Sequence, residues 1–275
     1  MKKKLLTAIA ACAALALGAA LLAGCTGGGD AKKDGGDADG AMTLVVGFDQ
    51  AYPPYGFVGD DGQFTGFDLD LAAEVAKRNG WDIQLEPIDW DVKDTLLNSG
   101  AINCIWNGFT MEGREADYTF SGPYMLNAQV VVVKADSDIK SLDDLSGKAV
   151  ITQTDSAAQE VLEGDKADLA ATFASLETIG DYNTAFMQLE AGAVDAVACD
   201  LSIAQYQMSA KPNAYRQLSD DLSSEHYAVG FKKGDAELAD KVNATLKEMT
   251  ADGTVKALCE KYAEYGLSYE NWLIK

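Results

Sequence analysis

From residue 42 onward the chain alternates between two rhythms of hydrophobic and polar positions. Leu44-Val45-Val46, Ile83 to Leu85, Ile102 to Trp106 and Ala149 to Thr152 are short apolar runs of strand length and composition. Between them the period is helical. In Asp68 to Asn79, Leu71, Ala72, Val75 and Ala76 share one face with Phe67 ahead of them, and Gly80 supplies the stop. Val92 to Asn98, Ser156 to Leu162, Tyr182 to Glu190 and Leu201 to Met208 predict further helices, and Ala193 to Ala198 a further strand with Asp200 just beyond it. Tyr52-Pro53-Pro54-Tyr55 predicts a loop at the end of the first strand, because proline lacks the N–H that a ladder needs. Strand alternating with helix in both halves predicts an α/β chain built on parallel sheets.

Two extended runs, Gln129 to Val133 and Tyr227 to Phe231, bracket the middle unit. They read as paired crossings between two lobes. Residues 42–128 and 232–275 then form lobe one, residues 134–226 form lobe two, and the hinge lies near 129–133 and 227–231. Two tail helices return to lobe one, with Leu238, Val242, Leu246 and Met249 on one face and Val255, Leu258, Cys259 and Tyr262 on the next. Ligands of parallel α/β sheets sit at the C-terminal ends of strands. In two lobes those ends face each other across a cleft.

The first 41 residues follow neither rhythm. Lys2, Lys3 and Lys4 precede an apolar run, Leu5 to Leu22, that ends in Ala23-Gly24-Cys25. This pattern predicts a secretory signal peptide over residues 1–24 with a lipoprotein-type cleavage site. The small residues before the cysteine favour it over a permanent membrane helix. Cys25 is then the lipidated start of the mature chain, held on the extracytoplasmic face of the cell membrane. Thr26 to Ala41 is rich in Gly and Asp and predicts a flexible tether spanning roughly 20–25 Å.

Charge and cysteine usage narrow the chemistry. The 275 residues carry 22 Lys and Arg against 43 Asp and Glu, a formal charge of −21. Cleavage removes three lysines and no acids, which takes the charge to −24. Such an acidic balance argues against nucleic acid, whose phosphates need basic patches. Cys104, Cys199 and Cys259 are widely spaced, odd in number and set in apolar runs, so they read as small buried hydrophobes. A single histidine, His226, gives no basis for a zinc site or a histidine triad. No metal and no cofactor are expected.

The candidate binding chemistry gathers around Trp106 to Tyr124. Asn107-Gly108-Phe109-Thr110 follows a buried strand, and Arg114 follows that run. A guanidinium offers a planar, permanently charged fork for a carboxylate. The plain alternative is a surface arginine paired with Glu112, Glu115 or Asp117.

Several motifs in order carry a resemblance to a known family. They are Gly47-Phe48-Asp49-Gln50-Ala51-Tyr52-Pro53-Pro54-Tyr55, Gly66-Phe67-Asp68-Leu69-Asp70-Leu71-Ala72, Gly108-Phe109-Thr110 with Arg114, and Ser121-Gly122-Pro123-Tyr124. Asp143, Leu145, Gly147 and Lys148 and the tail Ala251-Asp252-Gly253-Thr254 complete the series. Over residues 43–265 the chain resembles the extracytoplasmic solute-binding proteins of ABC importers, in the polar amino-acid branch (family 3). The resemblance implies a two-lobed α/β fold of the type II periplasmic-binding-protein kind, monomeric, closing by a hinge on an amino acid that it hands to an ABC permease. It places Arg114 on the ligand's α-carboxylate, with Gly108 and Thr110 donating to the same zwitterion and Asn107 as a neighbouring donor. Asp200 receives the α-ammonium, the helix start at Ser156 and Ala157 meets the carboxylate, Tyr52 and Trp90 stack on the side chain, and Asp49 makes a polar contact with it. The family's usual spacing from threonine to arginine is one residue longer than Thr110 to Arg114. A polar or cationic ligand is expected, with cystine also open. Two other functions share such a fold. One is a dehydratase-type enzyme using a cleft carboxylate, and the other is a sensor for a membrane signalling partner.

Overall fold

In the computed structural model of the protein, residues 42–275 are described. The expected signal peptide, Cys25 and the tether lie outside the described residues. The chain opens with β1 (Thr43–Phe48), a small three-stranded sheet of β2 (Ala51–Tyr52), β3 (Gly56–Val58) and β4 (Phe64–Thr65), and helix α1 (Phe67–Asn79). Then come β5 (Asp82–Pro87), α2 (Lys93–Ser99), β6 (Cys104–Ile105), β7 (Tyr118–Phe120) and the long strand β8 (Met125–Lys134). The middle of the chain forms β9 (Ala149–Gln153), α3 (Ala157–Glu163), α4 (Ala167–Ala170), β10 (Ser175–Ile179), α5 (Tyr182–Ala191), β11 (Ala196–Asp200) and α6 (Leu201–Ala210). Short strands β12 (Tyr215–Gln217), β13 (Ser223–Tyr227) and β14 (Gly230–Lys232) lead to helices α7 (Ala236–Ala251) and α8 (Thr254–Lys261).

Two separate sheets define two lobes. Lobe one has the order β5-β1-β6-β14-β7, and lobe two has β10-β9-β11-β8-β12 with β13 also paired to β8. The expected parallel pairing holds for β1 with β5 and β6, and for β9 with β10 and β11. It fails at the strands nearest the lobe junction. β8 runs antiparallel to β11, β12 and β13, and β14 runs antiparallel to β6 and β7. Each enters its sheet directly from the other lobe, with no crossover helix to reverse its direction.

Gln129 to Val133, expected as a crossing, lies within lobe two. Its residues pair with Ala196 to Asp200 on one side, and Val132 and Val133 pair with β12 on the other. Val130 to Val133 are essentially unexposed. A valine run of this kind is the mark of a strand buried on both faces, and here it supplies the centre of the second sheet. The chain passes between lobes earlier, at Ser121-Gly122-Pro123-Tyr124, and returns at Ala228-Val229, between β13 and β14. The two passages hold each other. Ser121 N–H donates to the Val229 carbonyl (3.0 Å), Tyr124 N–H to the Tyr227 carbonyl (2.8 Å), and Val229 N–H to Ser121 Oγ (2.9 Å).

Helix α1 buries the anticipated apolar stripe against the lobe-one sheet and stops at Gly80, whose left-handed backbone returns N–H bonds to Ala76 and Lys77. Its entry needs glycine as well. Gly66 has φ of 146°, and a Cβ there would lie 2.2 Å from the Tyr55 carbonyl oxygen. The C-terminal end closes the same core, with Trp272 fully buried, edge-to-face with Phe67 and tilted against Tyr124. Cys104, Cys199 and Cys259 are buried free thiols. Burial pushes the Cys259 thiol up to about 12.

Candidate functional site

The C-terminal ends of β1 and β6 in lobe one face those of β9 and β11 in lobe two, and a small polar cavity lies between them. Lobe one lines it with Tyr52, Trp90, Asn107, Gly108, Thr110 and Arg114. Lobe two adds Ser156, Ala157 and Asp200, together with Gln153, the last residue of β9. The structure thus brings nine of the ten sequence-expected residues to one space. Asp49 is the exception. It borders a larger groove beside the cavity, with Trp90 common to both.

Arg114 is buried, and its fork is filled from the opposite lobe. Nε and one Nη donate to Glu160 Oε1 of α3 at 3.1 and 2.7 Å, and the other Nη donates to the Thr110 carbonyl (3.2 Å). Its guanidinium lies 4.9 Å from the Phe109 ring centre. The local acids weighed as surface partners are not used. Glu112 pairs instead with His226 (2.6 Å).

Asp200 is both the last residue of β11 and the residue before α6, but its side chain makes no capping bond. All its hydrogen bonds converge on one oxygen. Oδ1 accepts from Asn127 Nδ2 (3.0 Å), Gln129 Nε2 (2.7 Å) and the Tyr227 hydroxyl (2.9 Å). The carboxylate is therefore held on one edge, and its Oδ2 edge is left over for a cation.

Two expected donors are committed within the protein. Gly108 N–H donates to Asp68 Oδ2 (2.6 Å), which also accepts from the Tyr124 hydroxyl (2.6 Å). Burial raises the Asp68 carboxyl to about 7, against the lowering effect of those hydrogen bonds. The Thr110 hydroxyl donates to Glu225 Oε1 (2.9 Å). The shortened step from Thr110 to Arg114 is compatible with this, since the arginine folds back onto the Thr110 carbonyl. Asn107 spends its carbonyl oxygen on the Asp49 N–H (3.0 Å) and braces the loops. Ser156 caps α3 by accepting from Gln159 N–H (3.2 Å), and its own N–H goes to the Gln153 carbonyl. That leaves the N–H of Ala157 at this helix start.

Further contacts join the lobes around the cavity. Asp49 Oδ2 accepts from Gln153 Nε2 (2.7 Å) while Oδ1 accepts from Ala51 N–H. Burial raises the Asp49 carboxyl, with Asp181 and Asp89 adding to it and the two hydrogen bonds opposing it. Trp90 Nε1 donates to the Asp155 carbonyl at 3.2 Å. Lys93, buried beneath Trp90, lies 3.9 Å from the Asp155 carboxylate, and burial lowers its ammonium. Tyr52 packs near Tyr182 and shares a 3.1 Å hydroxyl contact with Tyr227.

Sequence reasoning missed Gln153, Glu160 and Glu225. Gln153 was open to discovery as the polar end of a strand pointing at the cleft. The other two meet their partners only through the packing of the lobes.

Two lobes, each an α/β sheet presenting its strand ends to a shared polar cavity, define a ligand-capturing protein of the type II periplasmic-binding-protein fold. A family model described as bacterial extracellular solute-binding proteins, family 3, matches residues 44–265, and the chain belongs to that family. It is 32% identical over 223 residues to the L-cystine-binding protein TcyJ of Escherichia coli K12, covering 80% of this chain and 82% of that one. It is 29% identical over 265 residues to the arginine-binding extracellular protein ArtP of Bacillus subtilis, covering 95% and 98%. Among solved structures, a substrate-binding protein of an ABC uptake transporter from Streptococcus pneumoniae, with bound histidine, superposes with a TM-score of 0.77 at 32% identity. That match covers 80% of this chain and 92% of that one.

Proposed function

We propose that the protein captures a polar or cationic α-amino acid in the interlobe cavity by closure of the two lobes and delivers it to an ABC import permease. The observation that carries this is that Arg114 of lobe one and Asp200 of lobe two line one small cavity. A zwitterion is costly to desolvate unless both charges are met. Arg114, from lobe one, takes the carboxylate, displacing Glu160 and helped by the Ala157 N–H. Asp200, from lobe two, takes the ammonium through Oδ2. Charge-assisted hydrogen bonds contribute roughly 1.5–3 kcal/mol each, and a few suffice for about −8 kcal/mol, micromolar affinity.

The side chain leaves past Trp90 toward the open groove. That groove carries Asp49, Asp89, Asp91 and Asp181, which favours a cationic end over an anionic one. Both arginine and the second ammonium of cystine suit it. Each charge partner belongs to a different lobe, so the ligand binds the closed form better than the open one. The hinge is placed at 121–124 and 228–229, where the lobes exchange chain. The dehydratase alternative is disfavoured because its two acids are not assembled together: the Asp49 carboxylate is turned to Gln153 and Ala51 beside the groove, and Asp200 lines the cavity. Attachment to the membrane through Cys25 and action as a monomer belong to this reading as well.

Calorimetry against the twenty amino acids and cystine is the test. One tight ligand, lost in both Arg114→Ala and Asp200→Ala, supports the reading. Folded protein that gives no heat with any of them overturns it.

A further inference from the structure

Behind Asp200 lies a second buried carboxylate to which the family resemblance gave no role. Glu225, on β13, is 2% exposed. Its Oε1 accepts from Thr110 Oγ1 (2.9 Å), Asn127 Nδ2 (2.6 Å) and Gln129 Nε2 (2.8 Å). The same two amide nitrogens serve Asp200 Oδ1 at 3.0 and 2.7 Å. Two acids therefore share two neutral donors, and among the described residues no salt bridge reaches either of them.

The surroundings supply little positive charge. On the cavity side Glu225 faces Asp200 and Tyr227. On its outer side it borders a cleft with Glu112, Glu160 and Asp165. His226, next to it on β13, is turned to Glu112. Arg114 reaches this neighbourhood only through the Thr110 carbonyl, with the rest of its fork on Glu160 and the Asp155 carbonyl. Two adjacent carboxylates buried without a cation do not both ionise cheaply.

We propose that Glu225 is a positioning residue of the ammonium subsite, that it holds a proton while the cavity is empty, and that it releases the proton when a ligand's ammonium settles on Asp200. The inference rests on the amino-acid reading of the cavity. Its balance is simple: one cation enters beside the acid pair, one proton leaves Glu225 for solvent, and the pair together with the bound ammonium keeps the net charge the pair had alone. All three hydrogen bonds to Glu225 fall on Oε1, which leaves Oε2 to carry the proton at the outer cleft. Burial first, and then the charge of Asp200, push the Glu225 carboxyl up to about 8, with the bonds from Asn127, Gln129 and Thr110 opposing. In the ionised state Glu225 holds Asn127 and Gln129 more firmly, and through them fixes Asp200.

The test has a ligand-free arm and a ligand arm. Without ligand, the melting temperature of wild type and Glu225→Gln is followed from pH 5 to 9. The folded carboxyl keeps its proton to higher pH than the unfolded one, so wild type loses stability relative to the variant as pH rises toward 8. With ligand, L-arginine and L-cystine are each titrated at pH 7 in phosphate and in Tris, whose ionisation heats differ. Release of nearly one proton per ligand is expected for wild type, and none for Glu225→Gln. Binding heat from wild type that is the same in both buffers overturns the proposal and leaves amino-acid capture standing, and this comparison needs no variant. Failure of both probes to bind counts against the reading of the cavity instead, and parallel ligand-free curves then overturn the role of Glu225 on their own.

Discussion

Arg114 and Glu160 form a salt bridge of 2.7 Å that reaches from one lobe to the other. The acid occupies the fork through which a ligand carboxylate would be gripped, so the protein carries an internal substitute for half of its ligand. The bridge is only partly shielded, since the Glu160 side chain is 48% exposed, and its worth is that of a surface pair, about 0.2–1 kcal/mol.

Glu160→Ala is therefore expected to tighten amino-acid binding about two- to fivefold by removing a competitor. Arg114→Ala is expected to weaken it by about a hundredfold or more. Calorimetry on the two variants decides. Weaker binding in Glu160→Ala would mean that the acid supports closure more than it competes for the fork.

Asp49 touches Gln153 across the lobes and borders the groove proposed for the side chain. Asp49→Asn keeps the shape and removes the charge. It should cost arginine about tenfold more affinity than glutamine, the difference of one desolvated charge contact. Equal losses for the two amino acids would take the side chain out of that groove.

Gly108 sits at φ of 57°, and a Cβ there would lie 3.0 Å from both the Tyr52 and Tyr227 rings. A left-handed alanine costs about 1–2 kcal/mol from its backbone alone, and Gly108 and the Tyr52 ring line the cavity. Gly108→Ala should lower the melting temperature by several degrees and weaken binding by more than about tenfold. A variant that melts lower but binds normally would place the strain outside the site.

Asp68 gives a pH signature of its own. Burial raises its carboxyl from 3.8 to about 7, so the folded state holds a proton that the unfolded state has already lost. Its contribution to stability is full below about pH 4 and falls as pH rises to 7, by roughly 4 kcal/mol in all. Denaturant unfolding between pH 4 and 8 should show this slope in wild type and a flatter one in Asp68→Asn. Matching slopes would show that Asp68 is ionised in the folded protein.

Helix α1, its glycine stop and strand β1 were legible because local periodicity and local packing agree there, whereas the small sheet of β2, β3 and β4 shows in the sequence only as loop and turn. The tail helices follow the same logic. Ser175 to Ile179 was missed because it is an edge strand of mixed polarity, half exposed along most of its length. The valine run at 129–133 was visible as a strand but misplaced as a crossing, since its pattern reports burial and says nothing of which lobe buries it. The same limit applies at the site. Arg114, Asp200 and the aromatic walls carry their chemistry in their residue types. The partners that commit Gly108 and Thr110, namely Asp68 and Glu225, are 40 and 115 residues away in the chain and become neighbours only in the folded molecule.

The position of β14 bears on how the chain reaches this structure. Residues 230–232 lie between β6 and β7 in the first sheet, so that sheet lacks an interior strand until nearly the whole chain has been made. The second sheet takes its strands from residues 125–227, an almost continuous stretch. Folding that proceeds from the N-terminus completes the later-encoded lobe first and leaves the earlier one waiting. The facing edges of β6 and β7 then wait unpaired until β14 enters between them.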